Sequence, residues 1–220
     1  MQRPRGHQSS FRKTKSSKFG SGSSKLFPID PHVSYRLFYP QVPIIICSKQ
    51  ERDVAGMPAS SCIPVSNSPP LVAVGIKTGL RTGEILVKSR LLSLNWVSYE
   101  SKNAHSLILK LTNPSEEKRE KKMWERKPKG FDKLRRFGIR YHLVAGAPVL
   151  AEAVAYAVCS IQKFVRTGDH NLFIAEVKQA KATNDFGSDQ FWRFKKYRPM
   201  LYIGSVKGRR QLTTIRAGFR

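Results

Sequence analysis

Acidic residues are scarce in this chain of 220 amino acids, which has 15 Asp and Glu against 40 Lys and Arg and a formal net charge of +25. So few carboxylates, dispersed along the chain, argue against a hydrolase that uses a carboxylate pair. A charge this positive favours anionic partners: nucleic acid, an anionic membrane surface or a phosphorylated small molecule. Charge alone does not choose among them.

Cysteines are also few, and their spacing excludes two kinds of stabilisation. The three cysteines, Cys47, Cys62 and Cys159, are far apart and form no CxxC pair. Neither a disulfide framework nor a zinc site is supported by such a pattern. Each cysteine lies in or beside an apolar run, so we expect buried, reduced thiols and no metal site.

Long hydrophobic runs are missing as well. The longest apolar stretch, residues 143–161, contains Pro148, Glu152 and several alanines. Its low hydrophobicity and its central charge do not favour a membrane span. No apolar signal segment follows Met1. We therefore expect a cytoplasmic protein.

The basic residues are concentrated at the two ends of the chain. Residues 1–25 carry seven basic residues and residues 193–220 carry nine, with no acidic residue in either segment. The pattern predicts a domain over 26–207 between a disordered basic tail at 1–25 and a basic C-terminal tail at 208–220. A nucleic-acid-binding protein is one hypothesis on this evidence, although no recognition-helix or RNP-type motif is present.

Apolar runs of strand length alternate with turn-forming residues through the central region. The predicted strands are 44–47, 71–76, 91–97, 154–165, 171–177 and 200–206, and the predicted helices are 84–88, 101–112 and 114–127. Residues 50–56 are predicted to form a turn and the Ser- and Pro-rich residues 57–68 a loop. Many strands with few helices in one domain predict a β-barrel with peripheral helices.

The common catalytic motifs are absent: there is no GxGxxG after a strand, no Walker loop, no GxSxG and no HExxH. An enzyme of this sequence would therefore have a cofactor carry its chemistry. Four stretches hold candidate polar groups: 56–70, 77–82, Asn95 and 167–173. Their Ser and Thr hydroxyls, Lys, Arg and His suit a phosphate or a planar heterocycle. The alternative for each is structural: a solvated loop, a basic turn, a hydrogen-bonded core Asn and a surface His.

The order and spacing of these stretches resemble the flavin-reductase-like family of FMN-binding split barrels over residues 35–206. The resemblance rests on Tyr39-Pro40-x-x-Pro43, on Gly56-Met57-Pro58-Ala59-Ser60-Ser61, on Ser66-x-x-Pro69-Pro70, and on Gly168-Asp169-His170-x-Leu172-Phe173. Met57-Pro58 departs from the family, which often has Thr or Asn before the Ala-Ser pair.

This resemblance implies a mainly β, Greek-key split barrel that forms a homodimer and binds FMN, with FAD as the alternative. It implies hydride transfer from NADH or NADPH to flavin N5, a step governed by proximity and orientation. A flavoredoxin-like electron carrier without turnover is the alternative activity. The resemblance marks His170 as the catalytic residue and marks the following residues as cofactor-binding: Met57, Ala59, Ser60, Ser61, Cys62, Lys77, Thr78, Arg81, Thr82 and Asn95.

Overall fold

The computed structural model describes residues 28–112, 130–187, 189–206 and 209–214. The chain divides into two compact units between Tyr35 and Arg36. In the described part of the first unit, the Asp30 carboxylate accepts a hydrogen bond from the backbone N–H of His32, 2.9 Å away. The helix predicted over 114–127 and the tail predicted over 1–25 lie outside the described residues.

Strands dominate the described part of the chain, which contains eleven of them together with a 3₁₀ helix over Pro31–Phe38. The strands are β1 (Ile44–Gln50), β2 (Asp53–Ala59), β3 (Cys62–Asn67), β4 (Pro70–Lys77), β5 (Leu91–Trp96), β6 (Tyr141–Val144), β7 (Ala147–Leu150), β8 (Ala155–Thr167), β9 (His170–Ala182), β10 (Met200–Val206) and β11 (Arg209–Thr214). The helices are α1 (Arg81–Ser89), α2 (Ala104–Thr112) and α3 (Lys133–Arg136). The mainly β prediction is confirmed.

Seven antiparallel strands form the main sheet in the order β2-β1-β5-β8-β9-β4-β3. Its two edge strands, β2 and β3, are consecutive in the chain and are joined by Ser60 and Ser61 alone. In a flat sheet these edges would be about 29 Å apart, whereas the three Cα steps across the linker reach only about 10 Å. The sheet must therefore curl until the end of β2 lies near the start of β3, which makes it a barrel.

The barrel interior holds the largest of three hydrophobic clusters in the described part of the chain. From β1, Ile44 and Ile46 enter the interior core, which also takes Leu92, Leu94, Val74, Ile76, Cys159 and Phe173 from other strands. Ile45 and Cys47 point to the other face of β1, into a second core built with α2, α3, β7 and β10. Both faces of β1 are thus buried, which explains its continuous apolar run.

A polar stretch and two prolines concealed two strands from the sequence analysis. Of the predicted turn 50–56, only Glu51 and Arg52 form a turn, and β2 begins at Asp53. The predicted loop 57–68 contains the end of β2 and all of β3. Pro58 and Pro64 are tolerated because both strands lie at the sheet edges, where one side of the backbone needs no partner.

Two further differences concern the ends of elements. Residues 209–214, assigned from sequence to the C-terminal tail, form β11 and pair with β10. The helix predicted over 84–88 begins earlier, at Arg81, and ends at Ser89, where Arg90 follows with a φ of 56°. Leu212 packs against the second core, and this contact joins β11 to the folded unit.

Candidate functional site

Ser61, Lys77 and His170 come together at one end of the β3–β4–β9 part of the sheet. The Ser61 carbonyl accepts a hydrogen bond from the Gly75 N–H, 2.8 Å away, and Lys77 faces His170 across β4 and β9. Because the strands are antiparallel, the start of β3, the end of β4 and the start of β9 lie at the same end. Residues 74 and 76 of β4 point into the barrel, so Gly75 and Lys77 face outward.

Gly75 allows the backbone of β4 to pass close beside Ser61. A Cβ built on Gly75 would lie 3.2 Å from the Ser61 Cβ, tighter than ordinary contacts between side chains. Ser61 is exposed and Ser60 is half-buried. The bare backbone at Gly75 therefore leaves Ser61 next to a surface that a flat ligand can approach closely.

The β8–β9 turn is held to the end of β4 by Thr78. The Thr78 N–H and hydroxyl both donate to the Asp169 carbonyl, at 2.9 and 3.0 Å. The His170 Nδ1 lies 2.6 Å from the Asp169 Oδ1. This hydrogen bond and the charge of His170 hold the pKa of Asp169 below its ordinary value. Asp169 thus orients His170, a role that the Gly-Asp-His sequence signalled but that our list of site residues omitted.

Three residues of the predicted flavin-lining stretch face the barrel interior. Ala59 is buried there, and Met57 and Cys62 pack against the same core. Burial raises the pKa of the Cys62 thiol to about 11. Within residues 57–62, Ser61 is the predicted contact that is exposed, whereas Met57, Ser60 and Cys62 are half-buried.

Arg81 lies away from the cluster, in a structural ion pair. Its guanidinium is 2.7 Å from the Asp53 carboxylate, donates to the Phe131 carbonyl at 3.1 Å and stacks over the Phe131 ring. Asp53 begins β2 whereas Ser60 follows its end, about 20 Å along the strand. The structure does not bring the Arg81 side chain to Ser60, and Thr82 beside it is buried.

Asn95 is also separate from the cluster. Its amide nitrogen donates to the Ile45 carbonyl and to the Ser93 hydroxyl, and its amide oxygen accepts from the Leu150 N–H, at 3.1, 3.0 and 2.9 Å. The side chain is fully buried, so the structure supports the alternative of a hydrogen-bonded core Asn. It joins β1, β5 and β7.

Two further properties bear on the kind of site. Among the residues that the structure describes, no group of three or more His, Cys, Asp or Glu side chains is placed to hold a metal ion. None of the described helices combines the length and the apolar content needed to cross a bilayer.

An antiparallel barrel that presents hydroxyls, a lysine and an oriented histidine on its outer face is a β-barrel suited to a phosphorylated ligand. Residues 35–208 match the sequence model of the "Flavin reductase like domain". Since this match covers most of the chain, the protein belongs to the flavin-reductase-like family, and the family resemblance drawn from the motifs is confirmed.

Individual relatives are distant. The chain is 26% identical over 174 residues to a protein of Aeropyrum pernix, covering 78% of this chain but only 60% of that relative's length. It is 26% identical over 141 residues to the NADH-dependent flavin reductase StyB of Pseudomonas fluorescens, covering 64% of this chain and 71% of StyB.

Solved structures share the fold. The FMN-binding protein from Thermus thermophilus superposes with a TM-score of 0.64 at 23% identity, over 87% of this chain and 96% of that one. The predicted split β-barrel is confirmed by this similarity.

Proposed function

We propose that this protein binds FMN and acts as an NAD(P)H-dependent flavin oxidoreductase. The observation that carries the proposal is the grouping of Ser61, Lys77 and His170 around the bare backbone of Gly75. The names of the Thermus thermophilus protein and of StyB support the same reading.

The residues present fit the parts of FMN. The Lys77 ammonium is exposed and suits the phosphate, and the Ser60 and Ser61 hydroxyls suit the ribityl chain. The outer face also offers a row of residues on which a flat apolar ring can pack: Gly75, Leu172 and Val165. Bound FMN would supply the ring that accepts a hydride, and the protein would hold and orient it. Within this arrangement we assign His170, oriented by Asp169, to the nicotinamide side.

We further infer a homodimer. Two apolar rows cross the outer face of the sheet: Ile63, Ala73 and Ile174, and next to it Gly75, Leu172 and Val165. Ile63 is 59% exposed and Val165 is 51% exposed. An exposed apolar face of this kind suits a second copy of the chain. Because Ser61 and Lys77 border this face, a second copy would also shield the proposed flavin site from water.

The state of the cysteines supports a reducing compartment. Cys47, Cys62 and Cys159 are all free thiols, as is usual in the cytoplasm, and we infer that the protein works there. Neither NADH nor NADPH is favoured by the described residues, so both enter the test below.

The visible absorption spectrum tests the proposed function. We expect the protein to take up FMN at micromolar concentration with quenched flavin fluorescence, and the flavin bands to bleach when NADH or NADPH is added without oxygen. Repeated reduction of excess free FMN would show turnover, whereas bleaching without turnover would indicate an electron carrier. Parallel titrations with FAD give the flavin preference. Failure to bind either flavin would overturn the proposal.

A further inference from the structure

The connection between β9 and β10 folds around its own aromatic rings. The Trp192 ring stacks on Tyr197 with centroids 4.0 Å apart, and Phe186 meets the edge of Trp192 at 5.2 Å. Hydrogen bonds from the Gly187 N–H to the Phe191 carbonyl, and from the N–H groups of residues 196 and 197 to the residue 193 carbonyl, close the backbone. We call residues 185–187 and 189–198 the aromatic loop.

Two phenylalanines of this loop take no part in its core. Phe191 is 72% exposed and Phe194 is 55% exposed, although burying a Phe side chain is worth about 1.5–3 kcal/mol. Trp192 and Tyr197 already fill the inside of the loop, and Tyr197 is buried. The two phenyl rings therefore remain exposed to solvent.

Basic side chains alternate with these rings. Arg193, Lys195 and Lys196 are exposed, and none of them forms an ion pair with a carboxylate of the described residues. By contrast, Arg198 pairs with Glu100 at 3.0 Å. The stretch 193–220 carries nine basic residues and no acidic one. The loop also carries two carboxylates, Asp185 and Asp189, so it presents two exposed rings together with a small excess of cations.

We propose that the aromatic loop binds single-stranded nucleic acid. Exposed rings on which bases stack, set among cations that follow the phosphates, are the two elements of sequence-tolerant single-strand binding. Phe191, Arg193 and Phe194 offer both within four residues. The alternation of exposed rings and cations along residues 191–196 fits a polymer of alternating bases and phosphates better than a lipid surface.

The aromatic loop is remote from the proposed flavin site. His170 begins β9 and Ala182 ends it, so the loop follows the far end of a strand about 40 Å long. Nucleic-acid binding is therefore independent of flavin binding, and each can be lost without the other.

Fluorescence anisotropy of a labelled oligo(dT) of about 20 nucleotides, measured with the full chain across a salt series, tests the proposal. The double variant Phe191→Ala/Phe194→Ala should weaken binding roughly tenfold or more at constant salt slope. The variant Lys195→Gln/Lys196→Gln should instead lower the slope by about 1.4, because each contact to a single strand contributes about 0.7.

Matched controls use surface residues of the helices and of β6. Lys88→Gln/Lys110→Gln removes the same charge from α1 and α2, and Leu143→Ala removes an exposed apolar side chain from β6. Both control variants should leave the salt slope and the contribution of base stacking to the affinity unaltered. Circular dichroism melting would show that each variant is folded.

Several results would overturn the proposal. Equal affinity for duplex and single strand, or an unchanged affinity after Phe191→Ala/Phe194→Ala, would leave only non-specific charge attraction. Loss of binding to phosphatidylserine vesicles in that variant, with oligo(dT) binding intact, would assign the loop to a membrane. A change of oligomeric state in the same variant would assign it to a second copy of the chain.

Discussion

Asp53 and Arg81 form an ion pair of 2.7 Å in which only 6% of the Arg81 side chain is exposed. The pair joins the first residue of β2 to the first residue of α1. The Phe131 carbonyl and ring complete the surroundings of the guanidinium. A side chain that sequence analysis assigned to a ligand phosphate thus stabilises the contact between a helix and the barrel.

Replacing Asp53 should destabilise the protein. Asp53→Asn leaves the Arg81 charge buried without its carboxylate, and breaking a buried pair in this way costs about 3 kcal/mol. Urea unfolding would measure the loss. Glu51→Gln, in the exposed turn between β1 and β2, is the matched control and should change stability little. An Asp53→Asn variant as stable as the parent would show that the ion pair is dispensable.

Asn95 offers a test of structural against ligand-binding roles. Asn95→Ala leaves the Leu150 N–H and the Ile45 carbonyl without their partners in a buried environment, at about 1–3 kcal/mol for each group. We expect lower stability in urea but an unchanged FMN affinity in the folded variant. Asn67→Ala, on the exposed end of β3, is the control for stability. Weaker FMN binding at unchanged stability would restore Asn95 to the flavin site.

Lys77 is predicted to distinguish FMN from riboflavin. Lys77→Gln removes the exposed cation that we assign to the phosphate, so FMN affinity should fall roughly tenfold. Riboflavin lacks the phosphate, and its affinity should not change. Fluorescence quenching titrations with both ligands give the comparison, with Lys88→Gln on α1 as the control. An equal loss for both ligands would place Lys77 at the ring or outside the site.

Alkaline pH should destabilise the fold through its buried thiols. Burial raises the pKa of Cys62 from 9.0 to about 11 and that of Cys159 from 9.0 to about 12. The stabilisation that the protonated thiols contribute is complete below about pH 9, because the folded and the unfolded protein both keep the thiol protons there. As pH rises further, the unfolded thiols ionise first, so stability falls by about 1 kcal/mol per pH unit for each thiol.

The pH effect can be assigned to one thiol by substitution. Unfolding midpoints at pH 8, 9 and 10 should fall less steeply in Cys62→Ala than in the parent, whatever the baseline stability of the variant. The comparison stops near pH 10 because burial also raises the pKa of Tyr197, from 10.0 to about 12. Identical slopes in both proteins would mean that Cys62 titrates equally in the folded and unfolded states.

Local sequence patterns predicted the strands that consist of continuous apolar runs. The apolar runs at 44–47, 71–76 and 91–97 became β1, β4 and β5, and Thr167-Gly168-Asp169 joins β8 to β9 as a hairpin turn. Patterns failed at β2 and β3, where Pro58 and Pro64 indicated a loop. Only the position of these strands at the sheet edges, a long-range property, makes the prolines acceptable.

The motif series and the apolar runs belong to the sequence alone: they establish the family, the mainly β fold and the residues to inspect. Tertiary structure decided the use of each residue, because burial and partner choice depend on strands distant in the chain. It buried Arg81 against Asp53 and satisfied Asn95 within the core, although both had matched a motif. It also brought Lys77 to His170, which are far apart in sequence, since β4 and β9 are neighbours in the sheet.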